Sequence, residues 1–408
     1  MHFYSKFLVL TVFCATFFSC TSIDKSSGEI VKSNTGAEFD VAAIIWPAYQ
    51  NEPRWKELGI FGDGVGEWQN VYEAKPKFKG HNEPRKSLWG YVMDDNPNEM
   101  ARQIDAALAS GVNVFIYDWY WYEGKPFLEN ALNNGFLKAK NCERMKLFLM
   151  WANHDVNYLW NNKIAKKEVN PPLYNARVSL KDFKEVLVPR FIEYFKKPNH
   201  YQINGKPVFS IYHFPTFLDG VGGEANGKEA IAYLDKECKK AGFNGVYLIV
   251  FGRLDNNVKV ASIKNDKKAA MDYFGVSALT TYNWNYGTWN DIQKGNLKYT
   301  QWFDMAQKMW EKLHSETKGN FFPNVTVGWD TNSRYPANVL DPRVDGSNPK
   351  DFEKALRTAK EWSLKNAKTP RLITINSWNE WTEGSYLMPD EEFGYGYLNA
   401  IWNVFGAK

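Results

Sequence analysis

Cysteine is scarce in this 408-residue chain: Cys14, Cys20, Cys142 and Cys238 are too few for a disulfide framework and lack the spacing of a thiolate metal site. The six histidines (His2, His81, His154, His200, His213 and His314) include no pair at metal-ligand spacing, so neither a metal centre nor a cofactor is expected. An excess of one charge is missing too. The 50 basic and 46 acidic residues leave a formal net charge of +4, which removes the electrostatic case for nucleic acid. No glycine-rich turn follows the first predicted strand, which counts against a nucleotide-binding open sheet. Beyond the N-terminal run, no apolar stretch is long enough to cross a bilayer. Aromatic residues are plentiful instead, at 16% of the chain with 17 tryptophans. Most must be core, because large rings supply much of a domain's buried area, and the informative ones are those at the ends of strands.

The N-terminus reads as an export signal. Lys6 supplies the positive charge, and Phe7–Phe18 is an apolar run of signal-peptide length, too short for a span. Ser19-Cys20 follows, and a small residue directly before a cysteine resembles a bacterial lipobox, with Phe17 departing from its usual aliphatic residue. Residues 1–20 are therefore expected to be a lipoprotein signal peptide with Cys20 as the lipidation site. Residues 21–38, rich in Ser, Lys, Thr and Gly, read as a flexible tether. The expected location is a bacterial envelope, with the membrane as partner through a lipid anchor.

From residue 39 to 408 the pattern alternates. Short apolar runs at Val41–Trp46, Val112–Asp118, Lys146–Trp151, Pro207–His213, Val246–Gly252, Val276–Tyr282, Asn324–Asp330 and Arg371–Trp378 read as strands buried on both faces. Between them lie helix-like stretches. One begins at Asn96-Pro97 as N-cap and first helical residue, repeats apolar residues at Met100, Ile104 and Leu108, and stops at Gly111. Phe183–Phe195, Lys228–Ala241, Thr300–His314, Asp351–Leu364 and Tyr397–Phe405 are similar, while Pro126–Ala139 and Val258–Met271 carry weaker helical patterns. Strand and helix alternation over this length predicts one α/β domain, a (β/α)8 TIM barrel, with a doubly wound open sheet as the alternative.

Such barrels build their sites at the C-terminal ends of their strands. Here those ends supply Trp46 and Tyr49; Asp118, Trp119, Tyr120, Trp121 and Tyr122; Trp151, Asn153, His154 and Asp155; Tyr212 and His213; Arg253; Tyr282, Asn283 and Trp284; Trp329, Asp330 and Arg334; and Trp378, Asn379, Glu380, Trp381 and Glu383. Any single member has a plainer explanation as helix cap, barrel histidine or packing. Together they predict a cleft of aromatic platforms and hydrogen-bonding groups suited to an oligo- or polysaccharide. Its chemical centre is Asn376-Ser-Trp-Asn-Glu-Trp-Thr-Glu-Gly384, in which Glu380 and Glu383 stand three residues apart. Glycoside hydrolysis commonly needs two carboxyl groups, one to protonate the leaving oxygen and one to act at the sugar.

Six segments in order carry a resemblance. They are Trp68-Gln-Asn-Val-Tyr-Glu-Ala-Lys-Pro-Lys-Phe-Lys-Gly-His81, Tyr117-Asp-Trp-Tyr-Trp-Tyr-Glu-Gly-Lys125, Met150-Trp-Ala-Asn153, Asn204-Gly-Lys-Pro-Val-Phe-Ser-Ile-Tyr212, Gly328-Trp-Asp-Thr-Asn-Ser-Arg334 and the 376–384 segment. Together they resemble the WbsX-like proteins, which are related to glycoside hydrolase family 99. The resemblance implies a (β/α)8 barrel and a retaining, metal-independent attack on an α-linked, α-mannoside-like glycan. It also implies that Glu380 takes the proton of the substrate 2-hydroxyl to form a 1,2-anhydro sugar. Glu383 would then be the acid and later the base, with Tyr282 near the reacting sugar. Thr382 departs from the histidine often found at that position.

Two alternatives belong to other classes. A glycosyltransferase, the label WbsX-like proteins have carried, would need a nucleotide-sugar donor outside the inner membrane, and no Asp-x-Asp motif lies at a strand end. A non-catalytic glycan-binding lipoprotein would be free to lose the carboxylate pair, which is intact. A monomer is expected.

Overall fold

The computed structural model describes residues 38–406, apart from 157–160, 164–171, 253, 255–265, 296 and 367–369. The signal segment, the tether through residue 37, Cys20, Arg253 and most of the 258–271 helix-like stretch lie outside the described residues. From Glu38 onward the chain forms one compact unit.

Eight parallel strands build it: β1 (Asp40–Ile45), β2 (Val114–Tyr122), β3 (Lys146–Trp151), β4 (Lys206–Ile211), β5 (Tyr247–Phe251), β6 (Ala278–Thr280), β7 (Asn324–Thr326) and β8 (Leu372–Asn376). Neighbours pair in sequence order, and β8 returns beside β1, with Ala42 facing Thr374 on one side and Val114 on the other. The ring closes between β6 and β7 through Leu279, whose N–H donates to Asn320 O and whose carbonyl accepts from Phe322 N, both at 2.9 Å. This is the predicted (β/α)8 barrel.

The strands are buried along nearly their whole length because helices cover the outer face, which is why their apolarity runs almost unbroken. Polar residues inside the barrel satisfy one another. Thr280 and Thr374 hydroxyls lie 3.1 Å apart, Asn324 Nδ2 donates to Thr374, and Thr326 donates to Asn324 at 2.8 Å. Helix Pro97–Ser110 begins with the Asn96 side chain accepting from Asn98 N and ends at Gly111, as its sequence signals require. Helices Glu224–Lys240, Lys267–Phe274, Tyr299–Glu316, Pro349–Asn366 and Gly396–Phe405 follow in the outer layer. No helix among the described residues is long and apolar enough to cross a membrane.

Two expectations need correction. The second strand does not end at Asp118 but runs to Tyr122 and turns back, at Glu123 and Gly124, into a short strand Lys125–Phe127. Aromatic residues at 119–122 favour the pleated surface, so the run stays extended. The helix-like stretch after it is only a π-type turn, Ala131–Gly135, and one 3₁₀ turn, Phe136–Lys138. Its Asn-Asn-Gly sequence favours local side-chain hydrogen bonds over a regular helix, as Asn134 Nδ2 to Asn130 Oδ1 at 3.1 Å illustrates.

Candidate active site

The 376–384 loop is built on the end of β8. The bond between Asn376 and Ser377 is cis, and Ser377 Oγ accepts from Glu380 N at 3.0 Å while donating to Ser385 O. Asn379 ties the loop to the end of β1, accepting from Trp46 N at 2.8 Å and donating to Trp46 O and Asp94 at 2.9 Å. Asn379–Glu380 then pairs antiparallel with Ser385–Tyr386, and a single 3₁₀ turn, Trp381–Glu383, joins them. Gly384 closes that turn at φ 60°, the left-handed region that a side-chain-bearing residue rarely adopts. Each carbonyl of the turn is held from outside. Arg85 Nη1 donates to Trp381 O (2.8 Å), Ser333 Oγ to Thr382 O (3.0 Å) and Asp330 N to Glu383 O (2.6 Å). Both glutamates are thus fixed on a rigid hairpin.

They face a cavity of about 390 Å³ at the C-terminal end of the barrel. Its wall includes Trp46, Asp118, Tyr120, His154, Tyr212 and His213, and Tyr282, Arg334, Glu380 and Glu383 complete its charged side. Arg334 organises the acids. Its Nη1 donates to Glu383 Oε1 at 2.7 Å, its Nη2 to Glu380 Oε1 at 3.4 Å, and its Nε to Glu67 Oε1 at 2.8 Å. Tyr282 donates its hydroxyl proton to Glu380 Oε2 at 2.7 Å. Glu380 therefore has two donors to its carboxyl. Glu383 Oε2 is buried, and no hydrogen-bond donor reaches it among the described residues.

The electrostatics follow. Burial raises the Glu380 carboxyl above its ordinary value, opposed by the Arg334 charge and the Tyr282 hydrogen bond. Burial and then the Glu380 charge push Glu383 well above the carboxylate range. Two close acids cannot both ionise cheaply, and the stronger upward push falls on Glu383. Burial holds His154 below its ordinary value and so neutral. Among the described residues, no group of three or more His, Cys, Asp or Glu side chains is arranged to hold a metal ion.

Of the other residues expected in the cleft, several stand behind its wall. Side chains alternate along β2, so Asp118 and Tyr120 face the cavity while Trp119 and Trp121 point outward, stacked on each other at 5.8 Å. Trp119 packs edge-on to Phe191, and Arg190 lies over Trp121. The same alternation puts Met150 and Ala152 in the wall and sends Trp151 out against Phe183, Phe191 and Phe217. Asn153 is spent on the His213 backbone, accepting from its N–H and donating to its carbonyl. Tyr49 and Trp381 form part of a buried stack with Trp68, and Trp378 donates to Gln103 at 2.8 Å. Asn379 is buried within the loop anchor described above.

Trp329 and Asp330 line a different cavity, of about 360 Å³, with Phe78, His81, Arg85 and Arg343. The short β7 releases the chain behind the 381–384 turn, and the 3₁₀ turn Asn332–Arg334 then swings Arg334 back over the cavity that holds Glu380 and Glu383. Asp330 accepts from Asn332 and meets His81 and Arg85 at 3.1 and 3.3 Å. Burial would raise its carboxyl, but the His81 hydrogen bond and the Arg85 charge outweigh it and hold the group ionised.

At Gly328 an added Cβ would stand 2.4 Å from the carbonyl oxygen of Gly384, with backbone on both sides. Gly328→Ala is therefore expected to cost about 1–3 kcal/mol of stability, read as a shift in the denaturation midpoint, because neither segment has a flexible end to yield. An unchanged midpoint would mean that the loop gives way freely.

Tyr120, one of the aromatic residues expected at the strand ends, lies in the wall, as the two-residue period after Asp118 requires. One buried acid was not foreseen. Glu67 is wholly buried, accepts from Arg334 on both oxygens, at 2.8 and 3.4 Å, and accepts from Trp46 Nε1 at 2.5 Å. An acid directly before the Trp68 segment, in a loop otherwise free to be solvated, carried no local mark of burial.

Barrel, cavity at the strand ends and paired acids define a (β/α)8 protein with a glycoside hydrolase-like fold. The chain belongs to the WbsX family: residues 33–401 match the family described as Glycosyltransferase WbsX. It is similar to the "Uncharacterized protein WxcX" of two Xanthomonas campestris pv. campestris strains. Identity is 22% over 369 residues in one strain and 23% over 372 in the other, covering 87% of this chain and 47% of each relative. The chain thus spans about half the length of the curated relatives it matches. Among solved structures it resembles a "Glycoside hydrolase-like protein" at a TM-score of 0.56 and 14% identity, covering 94% of this chain and 98% of that one. It also resembles the GH99 endo-alpha-mannosidase from Bacteroides thetaiotaomicron at a TM-score of 0.51 and 15% identity, over 88% of this chain and 95% of the other. The family 99 fold anticipated from the six motifs is the one observed.

Proposed function

We propose that this protein hydrolyses an O-glycosidic bond of an α-linked, α-mannoside-like glycan with retention. In this reading Glu380 is the base and Glu383 the acid. The observation that carries it is the asymmetry between two buried acids on one guanidinium: Glu380 has donors on both oxygens, whereas Glu383 has a bare Oε2 on which a proton can sit. Glu380 would take the proton of the sugar 2-hydroxyl, whose oxygen attacks the anomeric carbon to form a 1,2-anhydro ring. Glu383 would give its proton to the departing oxygen and then, as a carboxylate, take a proton from the water that opens the ring, while Glu380 returns its proton to the 2-oxygen. Aromatic faces at Trp46, Tyr120 and Tyr212 offer the apolar surface a pyranose stacks on. The endo-α-mannosidase named among the structural neighbours supports the substrate class.

The transferase reading draws support from the family's description. A single experiment separates the two: incubate the protein with α-mannans and other bacterial or host glycans, with and without chelator, and with nucleotide-sugar donors, and read the products by chromatography. Donor-independent, chelator-resistant release of sugars is expected. Transfer from a nucleotide sugar with no hydrolysis would overturn the proposal. A lipid on Cys20 would hold the enzyme at a bacterial envelope, where such glycans are met. Cys20→Ala is expected to release the protein or leave it unprocessed.

A further inference from the structure

The cavity holds a third acid that the two-carboxylate scheme leaves idle. Asp118 is buried on β2, lines the cavity, and among the described residues has no cation beside it. Its Oδ1 meets no hydrogen-bond donor, and its Oδ2 lies 3.5 Å from the Tyr282 hydroxyl. That phenol has one proton, and the 2.7 Å contact commits it to Glu380. An ionised Asp118 would then be a buried carboxylate facing only the lone pairs of a phenol oxygen, an arrangement that is strongly disfavoured when nothing compensates it. A protonated Asp118 fits instead: its own O–H points at the phenol oxygen, giving the chain Asp118 to Tyr282 to Glu380 with every proton used once.

We propose that Asp118 is a positioning residue that works as a neutral carboxylic acid, donating to Tyr282 and thereby strengthening the hydrogen bond by which Tyr282 keeps Glu380 ionised. This rests on the reading of Glu380 as the base. A donor whose own oxygen accepts a hydrogen bond becomes a stronger donor, so the effect of Asp118 passes through the phenol. The charges around the chain agree. Asp118 faces Tyr282, Tyr120, Glu380 and Glu383, and burial followed by the Glu380 charge raises it well above the ordinary carboxyl range. Glu380 in turn faces Arg334, Glu67, Tyr49 and Glu383. During the reaction the 2-hydroxyl proton goes to Glu380, while Asp118 and Tyr282 keep theirs.

Asn is the informative replacement, since its amide can donate to the phenol oxygen as the acid does but can never ionise. Asp118→Asn is expected to keep kcat/KM within a few-fold of wild type and to leave the acid limb of its pH profile in place. Asp118→Ala is expected to lose about ten-fold or more, with that limb moved to higher pH, because a weakened Tyr282 lets Glu380 protonate sooner. In a Tyr282→Phe background the Ala change is expected to add little. Infrared difference spectra of wild type against Asp118→Asn, taken near neutral pH without substrate, are expected to show the loss of a protonated-carboxyl band. The proposal is overturned if Asn is as damaging as Ala, or if the lost band is that of a carboxylate. The infrared arm needs no turnover. A protein that cleaves no glycan but loses the protonated band would refute the hydrolase reading and leave the state of Asp118 established.

Discussion

Glu383→Gln is expected to lose about 10²–10⁴-fold of kcat on a natural glycan, the usual worth of a general acid, while retaining fold and glycan binding. The amide is nearly isosteric and can still accept from Arg334 Nη1, so the hairpin keeps its anchor. Much of that loss disappears when the leaving group needs no proton. On an activated aryl glycoside or a glycosyl fluoride the Glu383→Gln enzyme should approach wild type in the bond-breaking step. Glu380→Gln behaves differently. Whatever departs, the 2-hydroxyl must still lose its proton, so both kinds of substrate should be cleaved poorly. A 2-deoxy or 2-fluoro substrate should be inert with wild type for the same reason. If Glu380 were instead an ordinary nucleophile, the 2-fluoro sugar would leave a covalent adduct on it, visible by intact mass. That adduct, or equal sensitivity of both variants to leaving group, would sink the anhydro-sugar route and leave hydrolysis standing.

What the sequence could say about this site divides along physical lines. Strand positions were legible because residues buried on both faces must be apolar throughout, and all eight runs became barrel strands. The capping signals around 97–110 were equally plain, since they act through neighbouring backbone groups. Which side chain at a strand end faces the cavity was harder. Tryptophan content pointed to Trp119, Trp121 and Trp151, whereas the pleat sends these outward and gives the cavity Asp118, Tyr120 and Met150. A strict two-residue count from Asp118 would have sorted β2. Trp329 and Asp330 failed for a different reason: their strand stops at Thr326, and the path of the chain after it is set by packing against the 381–384 turn rather than by local pattern. Glu67 needed the folded state altogether, because its burial is compensated by Arg334, a residue 267 positions away.

Arg334 is the only cation that touches Glu67, Glu380 and Glu383 among the described residues, so its loss is expected to be severe in both stability and activity. Arg334→Met removes the partner and leaves the acids buried, a change typically costing about 3–5 kcal/mol. The pH dependence identifies the cause. Burial already raises Glu380 and Glu383 above their unfolded values against the Arg334 charge, and without the guanidinium both are raised further. The folded state then binds more protons than the unfolded one, so stability is lost as pH rises from the unfolded value through the folded one. Arg334→Met should therefore lie closest to wild type at about pH 5 and fall behind by about pH 8, read as the difference in melting temperature. Arg334→Lys keeps a charge, but its donors share one nitrogen and cannot span three carboxyls as Nε, Nη1 and Nη2 do, so it should recover only part of the deficit. Adding Glu67→Gln to Arg334→Met removes one of the stranded charges and should restore stability without restoring activity, because Glu380 still lacks its cation. A deficit independent of pH, or one that Glu67→Gln leaves untouched, would assign the loss to packing over Trp46, where the guanidinium lies 5.6 Å from the ring centre, and not to charge.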